Sequence, residues 1–187
     1  MNWPSTYRRL PNLKQSFNVF SFCPIRYEDR ETIRGWRNCQ TSVLRQNVSI
    51  SSEEQETYFK SVILPDFFSL EPKQILVTMW SNKTLIAYGG LVHIDWLNRN
   101  AELSFLTSGQ LETSNYKFIF SQFLNFTKLI SKNDLNLRKL VTETFAFRTQ
   151  EIQLLEQHGF ALEGQLNDQY FKGGMFINSI LHGAILG

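Results

Sequence analysis

Along the chain, hydrophobic and polar positions alternate between two periods, and the changes of period divide the sequence into elements. Residues 1–21 hold Pro4 and Pro11 and show no clear period, so they read as an arm that packs on the domain or on a second subunit. Phe22 to Arg26 has strand character. Glu28 and Asp29 then stand where a helix dipole favours acidic groups, and the helix runs toward Trp36, Arg37 and Asn38 with Ile33 and Trp36 on one face. After a polar stretch from Gln40 to Ser49, Ser51/Glu54 and Ser52/Gln55 both have capping-box spacing. They open a helix expected to turn Tyr58, Phe59 and Val62 inward and to stop before Pro65.

The middle of the chain predicts a meander. Ile75 to Trp80, Leu85 to Ile94 and Ala101 to Leu106 are apolar stretches of strand length, separated by Ser81-Asn82-Lys83 and by Trp96 to Asn100. Gly89-Gly90 inside the second strand marks a bulge or a close backbone approach. From Tyr116 the period becomes helical, with apolar residues at Ile119, Phe120, Phe123 and Ile130. Lys139 to Phe145 predicts a strand, Thr149 to His158 a helix with Gly159 at its C′ position, and the chain from Phe160 to Ile185 a hairpin turning at Gly173-Gly174. The order is β-α-α-β-β-β-α-β-α-β-β. A helix between the strand ending at Leu106 and the strand beginning at Lys139 is a crossover, which sets those strands side by side and parallel. The fold class is α/β (α+β), with one domain over residues 22–187.

Composition narrows the function classes. Hydrophobic residues make up 42% of the 187, enough for a packed core, and the 16 phenylalanines predict an aromatic one. A net charge of +2 from scattered basic residues gives no concentrated basic face, so nucleic acid is not an expected partner. No apolar run is long enough to cross a membrane, and Met1-Asn2-Trp3-Pro4 lacks the apolar stretch of a signal peptide. With Cys23 and Cys39 making no disulfide framework and no zinc spacing, the expectation is a cytoplasmic protein without a metal site. There is no nucleotide-binding Walker loop and no dinucleotide fingerprint.

The segment Val141-Thr142-Glu143-Thr144-Phe145, followed by Leu154-Leu155-Glu156-Gln157-His158-Gly159-Phe160 and Glu163-Gly164, resembles the strand and helix region of the GNAT superfamily of N-acetyltransferases. The likeness extends over about residues 22–186 and is strongest to the branch holding ribosomal-protein N-terminal acetyltransferases and amino-sugar acetyltransferases. Trp36-Arg37-Asn38 with Ser51 to Phe59 is similar to the substrate-side helices of the amino-sugar enzymes. The resemblance implies a mixed, mostly antiparallel central sheet with a splayed parallel pair and flanking helices. It also implies an acyl transfer from acetyl-CoA to the amine of a small polar acceptor, such as a nucleotide-linked amino sugar. The family's glycine-bearing pyrophosphate loop is replaced here by Gln110 to Lys117, which contains no glycine. Two alternatives stay open: a protein N-terminus as the acceptor, and, favoured by the glycine-free loop, a non-catalytic binding module that keeps the fold.

Acyl transfer to an amine needs a base, donors for the oxyanion and an anchor for the cofactor. The resemblance places a carboxylate at the start of the third meander strand, which makes Glu102 the candidate base. It implies a free backbone N–H at Leu106 for the pantetheine arm. Thr113, Ser114, Asn115 and Tyr116 form a helix start, where free N–H groups attract phosphate, and Lys117 adds charge. Arg148 is a further candidate for phosphate or ribose. On the acceptor side, Arg37 and Asn38 pair a guanidinium with an amide, and Arg45 lies in a polar loop with Gln46 and Asn47. Alternation places His93 with Leu91 and Asp95, as a second base or an acceptor contact. His182 lies on the last strand, where it would line the same cleft. His158, at a helix C-terminus, has no expected catalytic role. A homodimer contact is one use open to the N-terminal arm.

Overall fold

The computed structural model describes residues 2–109 and 113–187, apart from the side chains of Thr113 and Ser114. Eight strands form one sheet: β1 (Gln15–Phe17), β2 (Phe20–Pro24), β3 (Ile75–Ser81), β4 (Thr84–Asp95), β5 (Asn100–Thr107), β6 (Lys139–Phe145), β7 (Ala161–Lys172) and β8 (Met175–Ile185). Their spatial order is β1-β2-β3-β4-β5-β6-β8-β7. β5 and β6 pair parallel and the other neighbours pair antiparallel. This is the mixed sheet expected from the crossover, which is made by α4 (Thr113–Asn133).

The helices cover both faces. α1 (Arg30–Cys39) follows a short 3-10 turn at Tyr27–Asp29 and buries Ile33. α2 (Ser52–Tyr58) opens with the Ser51/Glu54 capping box: Glu54 N–H donates to Ser51 Oγ at 3.1 Å, and Ser51 N–H to the Glu54 carboxylate at 2.8 Å. The Ser52/Gln55 pair is not a second box, since Gln55 is buried and donates to the Arg30 carbonyl. The other face is aromatic. Phe105 packs on Phe120 and Phe123 of α4 with ring centroids 4.7 and 4.8 Å apart, and Phe22 stacks on Phe126 at 3.8 Å. α5 (Thr149–Gln157) buries Leu154 and Leu155 and ends at Gly159, whose φ of 78° is the left-handed C′ conformation.

Two sequence expectations are corrected. The second helix does not stop before Pro65. It widens into a π turn over Phe59–Ile63, where the Leu64 N–H reaches back to the Phe59 carbonyl, and continues as α3 (Leu64–Phe68). The wide turn takes up the ring of Pro65, which would otherwise press on the preceding turn. Phe59 and Ile63 therefore point inward, whereas Tyr58 and Val62 are partly exposed. The N-terminal stretch also carries more structure than its missing period suggests. Tyr7, Leu10 and Leu13 are buried, and β1 makes a hairpin with β2.

Candidate active site

The site begins where two strands part. β5 and β6 are in register at Asn100/Lys139, Ala101/Leu140 and Glu102/Val141, and pairing ends there although both strands continue. β6 stays bonded to β8 along its other edge, so beyond Glu102 the facing edges of β5 and β6 open into a fork. The cleft in the fork is lined by Glu102, Leu103, Ser104 and Phe105 from β5, by Thr142 to Phe145 from β6, and by Tyr116, Arg148 and Leu155 from the helices around it. Thr142 Oγ1 is buried there with no hydrogen-bond partner among the described residues. A splayed strand edge with free amide groups suits the extended, amide-bearing pantetheine arm of coenzyme A.

Glu102 is the last paired residue before the fork, and two side chains bond its carboxylate. Arg45 from the loop after α1 donates Nη2 to Glu102 Oε1, and its Nη1 lies 3.3 Å from Glu143 Oε2 on the opposite strand. His93 Nδ1 lies 2.8 Å from Glu102 Oε2. Glu143 in turn accepts from Ser179 Oγ at 2.6 Å. Burial opposes the charge on Arg45, but the two carboxylates outweigh it and hold the guanidinium above its ordinary pKa. Burial and the nearby Glu143 carboxylate push the Tyr170 phenol up. Among the described residues, two arginines and three carboxylates line the cleft, so that lining leans negative.

His93 departs from the alternation argument. Simple alternation groups it with Leu91, which is fully buried on the opposite face. The β4–β5 register slips between Val92 and Asp95, and His93 adopts a φ of 50°. This bulge turns the imidazole to the Glu102 face, an example of a bulge re-aiming a side chain.

The other sequence-predicted residues fall into three groups. Arg37 donates Nε to Gln46 at 3.1 Å and Nη1 to the Tyr88 hydroxyl at 3.0 Å. Asn38 shapes the loop: Nδ2 donates to the Ile50 carbonyl, and Oδ1 accepts from Ile50 N–H and from Gln46 Nε2, each at 2.9 Å. Leu106 is a buried residue of β5 beyond the fork point, paired with Tyr88. Thr113, Asn115, Tyr116 and Lys117 fall in the first turns of α4, with Asn115 and Lys117 exposed. Ser114 is there too. The preceding Gln110 to Glu112, the centre of the glycine-free loop, lie outside the described residues. Tyr116 turns into the cleft, 6.1 Å from the Phe105 ring, and burial pushes its phenol up. Arg148, at the N-terminus of α5, donates to Glu151 at 2.8 Å and to the Tyr116 hydroxyl at 3.5 Å. His182 is buried beside Thr142, its register partner, and both ring nitrogens lack hydrogen bonds among the described residues.

Glu143 and Ser179 were not singled out from the sequence. The crossover rule held the signal for Glu143: once β6 lies parallel beside β5, the carboxylate two residues past Val141 must stand across the fork from the Glu102 neighbourhood.

No group of three or more His, Cys, Asp or Glu among the described residues is placed to hold a metal. Among the described helices none is long and apolar enough to cross a membrane.

The family model described as acetyltransferase (GNAT) domain matches residues 24–181. No curated protein has a matching sequence. In fold, the chain is similar to the spermidine N-acetyltransferase of Vibrio cholerae crystallised with CoA and spermine, at 18% identity and a TM-score of 0.77, covering 91% of this chain and 97% of that one. The spermidine/spermine N-acetyltransferase of the same organism crystallised with manganese ions is similar at 18% identity and a TM-score of 0.72, over 90% and 94% of the two chains.

Proposed function

The chain belongs to the acetyltransferase (GNAT) family and is an N-acetyltransferase; from that premise we propose that its acceptor is a small amine whose ammonium enters the fork beside Glu102 and Glu143. The observation that carries this reading is the end of β5–β6 pairing at Glu102, which sets a carboxylate at the throat of the cleft.

Acetyl-CoA supplies the thioester carbon that the amine attacks, with a new N–C bond formed and the C–S bond broken. Residues of β5 past Glu102 hold the pantetheine arm through backbone N–H groups, Leu106 among them. The first turns of α4, from Thr113 to Lys117, offer N–H groups and positive dipole to the pyrophosphate, with Arg148 beside them. The similar fold of an enzyme crystallised with CoA and spermine supports both the donor and an amine acceptor.

Glu102 accepts a proton from the ammonium, which must become neutral to attack. His93 and Arg45 hold the two carboxylate oxygens in place. The second proton of the nitrogen ends on the departing thiol. The acidic lining favours a cationic acceptor over an anionic one, because both Arg45 bonds are spent on carboxylates. This shifts weight from the nucleotide-linked amino sugar toward simpler amines. Purified protein with acetyl-CoA and a panel of amines, amino-sugar nucleotides and peptides tests the reading. Thiol release with a matching acetylated amine is expected. Binding of CoA without acetylation of any amine would favour the non-catalytic alternative.

A further inference from the structure

A second cavity, of about 330 Å³, lies on the α1–α2 side of the sheet. Its walls include Ile25, Ile33, Phe59, Ile63 and Leu76, each no more than 4% exposed. Ser104 of β5 lines both this cavity and the fork. Ser104 is therefore the side chain at which the two cavities meet. The other polar lining residues are Arg37, Tyr58, Tyr88, Gln55 and Glu54. Glu54 is committed to its capping box, Gln55 to the Arg30 carbonyl and the Tyr58 hydroxyl to Gln74. Arg37 forms no ion pair among the described residues, in contrast to Arg26 and Arg34 nearby.

We infer that the acceptor carries a compact apolar body, aromatic or branched aliphatic, which fills this cavity while its amine reaches past Ser104 into the fork. The inference rests on the proposed acetyl transfer and specifies its substrate class. Apolar walls with a few fixed polar groups suit a body of this kind, and burying it supplies binding free energy without a charge partner. A polyamine fits poorly. Its second ammonium would leave water for an apolar wall beside the unneutralised guanidinium of Arg37, with Glu54, the carboxylate among the described lining residues, already bonded.

The test compares an arylalkylamine such as phenethylamine, the branched amine isopentylamine, spermidine and glucosamine under saturating acetyl-CoA. The arylalkyl or branched amine should exceed spermidine in kcat/KM by about tenfold or more, the discrimination a few buried methylenes provide. Val92→Phe and Ile50→Phe each place bulk in the cavity from its half-buried rim. Either should raise the KM of the apolar amine by about tenfold while leaving that of acetyl-CoA unchanged. Equal or better turnover of spermidine or glucosamine overturns the inference and leaves the acetyltransferase reading standing. So does an unchanged apolar-amine KM in both folded variants. Failure of every amine in protein that still binds CoA overturns the proposed function, and the inference with it.

Discussion

His93 and Glu102 meet across a bulge, with Nδ1 2.8 Å from Oε2, although neither lies where plain strand alternation would bring them together. The arrangement fixes one carboxylate oxygen, and Arg45 fixes the other. Glu102→Gln keeps the size and much of the hydrogen bonding but removes the ability to take a proton. Turnover should fall by about 10²–10⁴, the usual cost of losing a general base. The dissociation constant for CoA should barely move. Full activity across the pH range would identify Glu102 as a structural partner of Arg45 and nothing more.

The order of elements and the parallel pair were legible because each rests on local pattern plus one topological rule. Ser51 with Glu54 declares a helix start within four residues, and Gly159 declares a helix end. The partners of Glu102 were not legible in the same way. Arg45 is 57 residues distant in sequence and arrives through a loop whose path depends on Asn38 bonding Ile50 and Gln46. His93 depends on a one-residue slip that no period reports. Tyr7 lies in a stretch without period, and it is buried by a tertiary contact with β3 that local pattern does not record.

The Gly89-Gly90 pair answers to close approach, while the β4 bulges lie elsewhere. A Cβ on Gly90 would stand 2.1 Å from the Ile75 carbonyl oxygen, at a φ of +132° that side chains rarely adopt. A Cβ on Gly89 would meet the Ser104 oxygen at the same distance. Gly90→Ala should therefore destabilise the fold by about 3 kcal/mol, combining backbone strain with overpacking. Urea unfolding measures this, and a loss under about 0.5 kcal/mol would show that β3 moves aside freely.

Tyr7 predicts an alkaline signature. Its hydroxyl donates to the Leu76 carbonyl at 3.1 Å and accepts from the Leu76 N–H at 3.0 Å, and burial pushes the phenol well above its ordinary value. A raised folded-state pKa means the stabilisation is whole below about pH 10, the unfolded tyrosine value, and drains as pH rises toward the folded one. Tyr7→Phe should cost about 1–3 kcal/mol at neutral pH by leaving the buried Leu76 N–H unpaired, while the Leu76 carbonyl keeps the Ile25 N–H. The gap between variant and wild type should hold up to about pH 9.5 and narrow from about pH 10 upward. A gap that stays constant over that range would mean Tyr7 does not titrate with unfolding.

Arg148 carries the prediction for the cofactor end of the fork. It stands at the start of α5, bonded to Glu151 and within reach of Tyr116, which projects from the first turns of α4. The ion pair with Glu151 competes with any phosphate for the same guanidinium. Arg148→Ala should weaken CoA binding roughly tenfold to a hundredfold, the range of one hydrogen bond to a charged group. The acceptor KM should stay near its wild-type value if, as proposed, the acceptor's amine meets Glu102 at the other end of the fork. Glu151→Gln should act in the opposite sense, freeing the guanidinium and tightening CoA. Both effects should shrink as salt is raised from about 0.05 to about 0.5 M, since partly exposed charges are screened over a Debye length of a few ångströms at the higher value. Calorimetric titration of each variant with CoA at the two salt concentrations separates the outcomes. If both variants bind CoA as the wild type does, the phosphates are held by the α4 start alone, and Arg148 with Glu151 is a surface pair that steadies the first turn of α5.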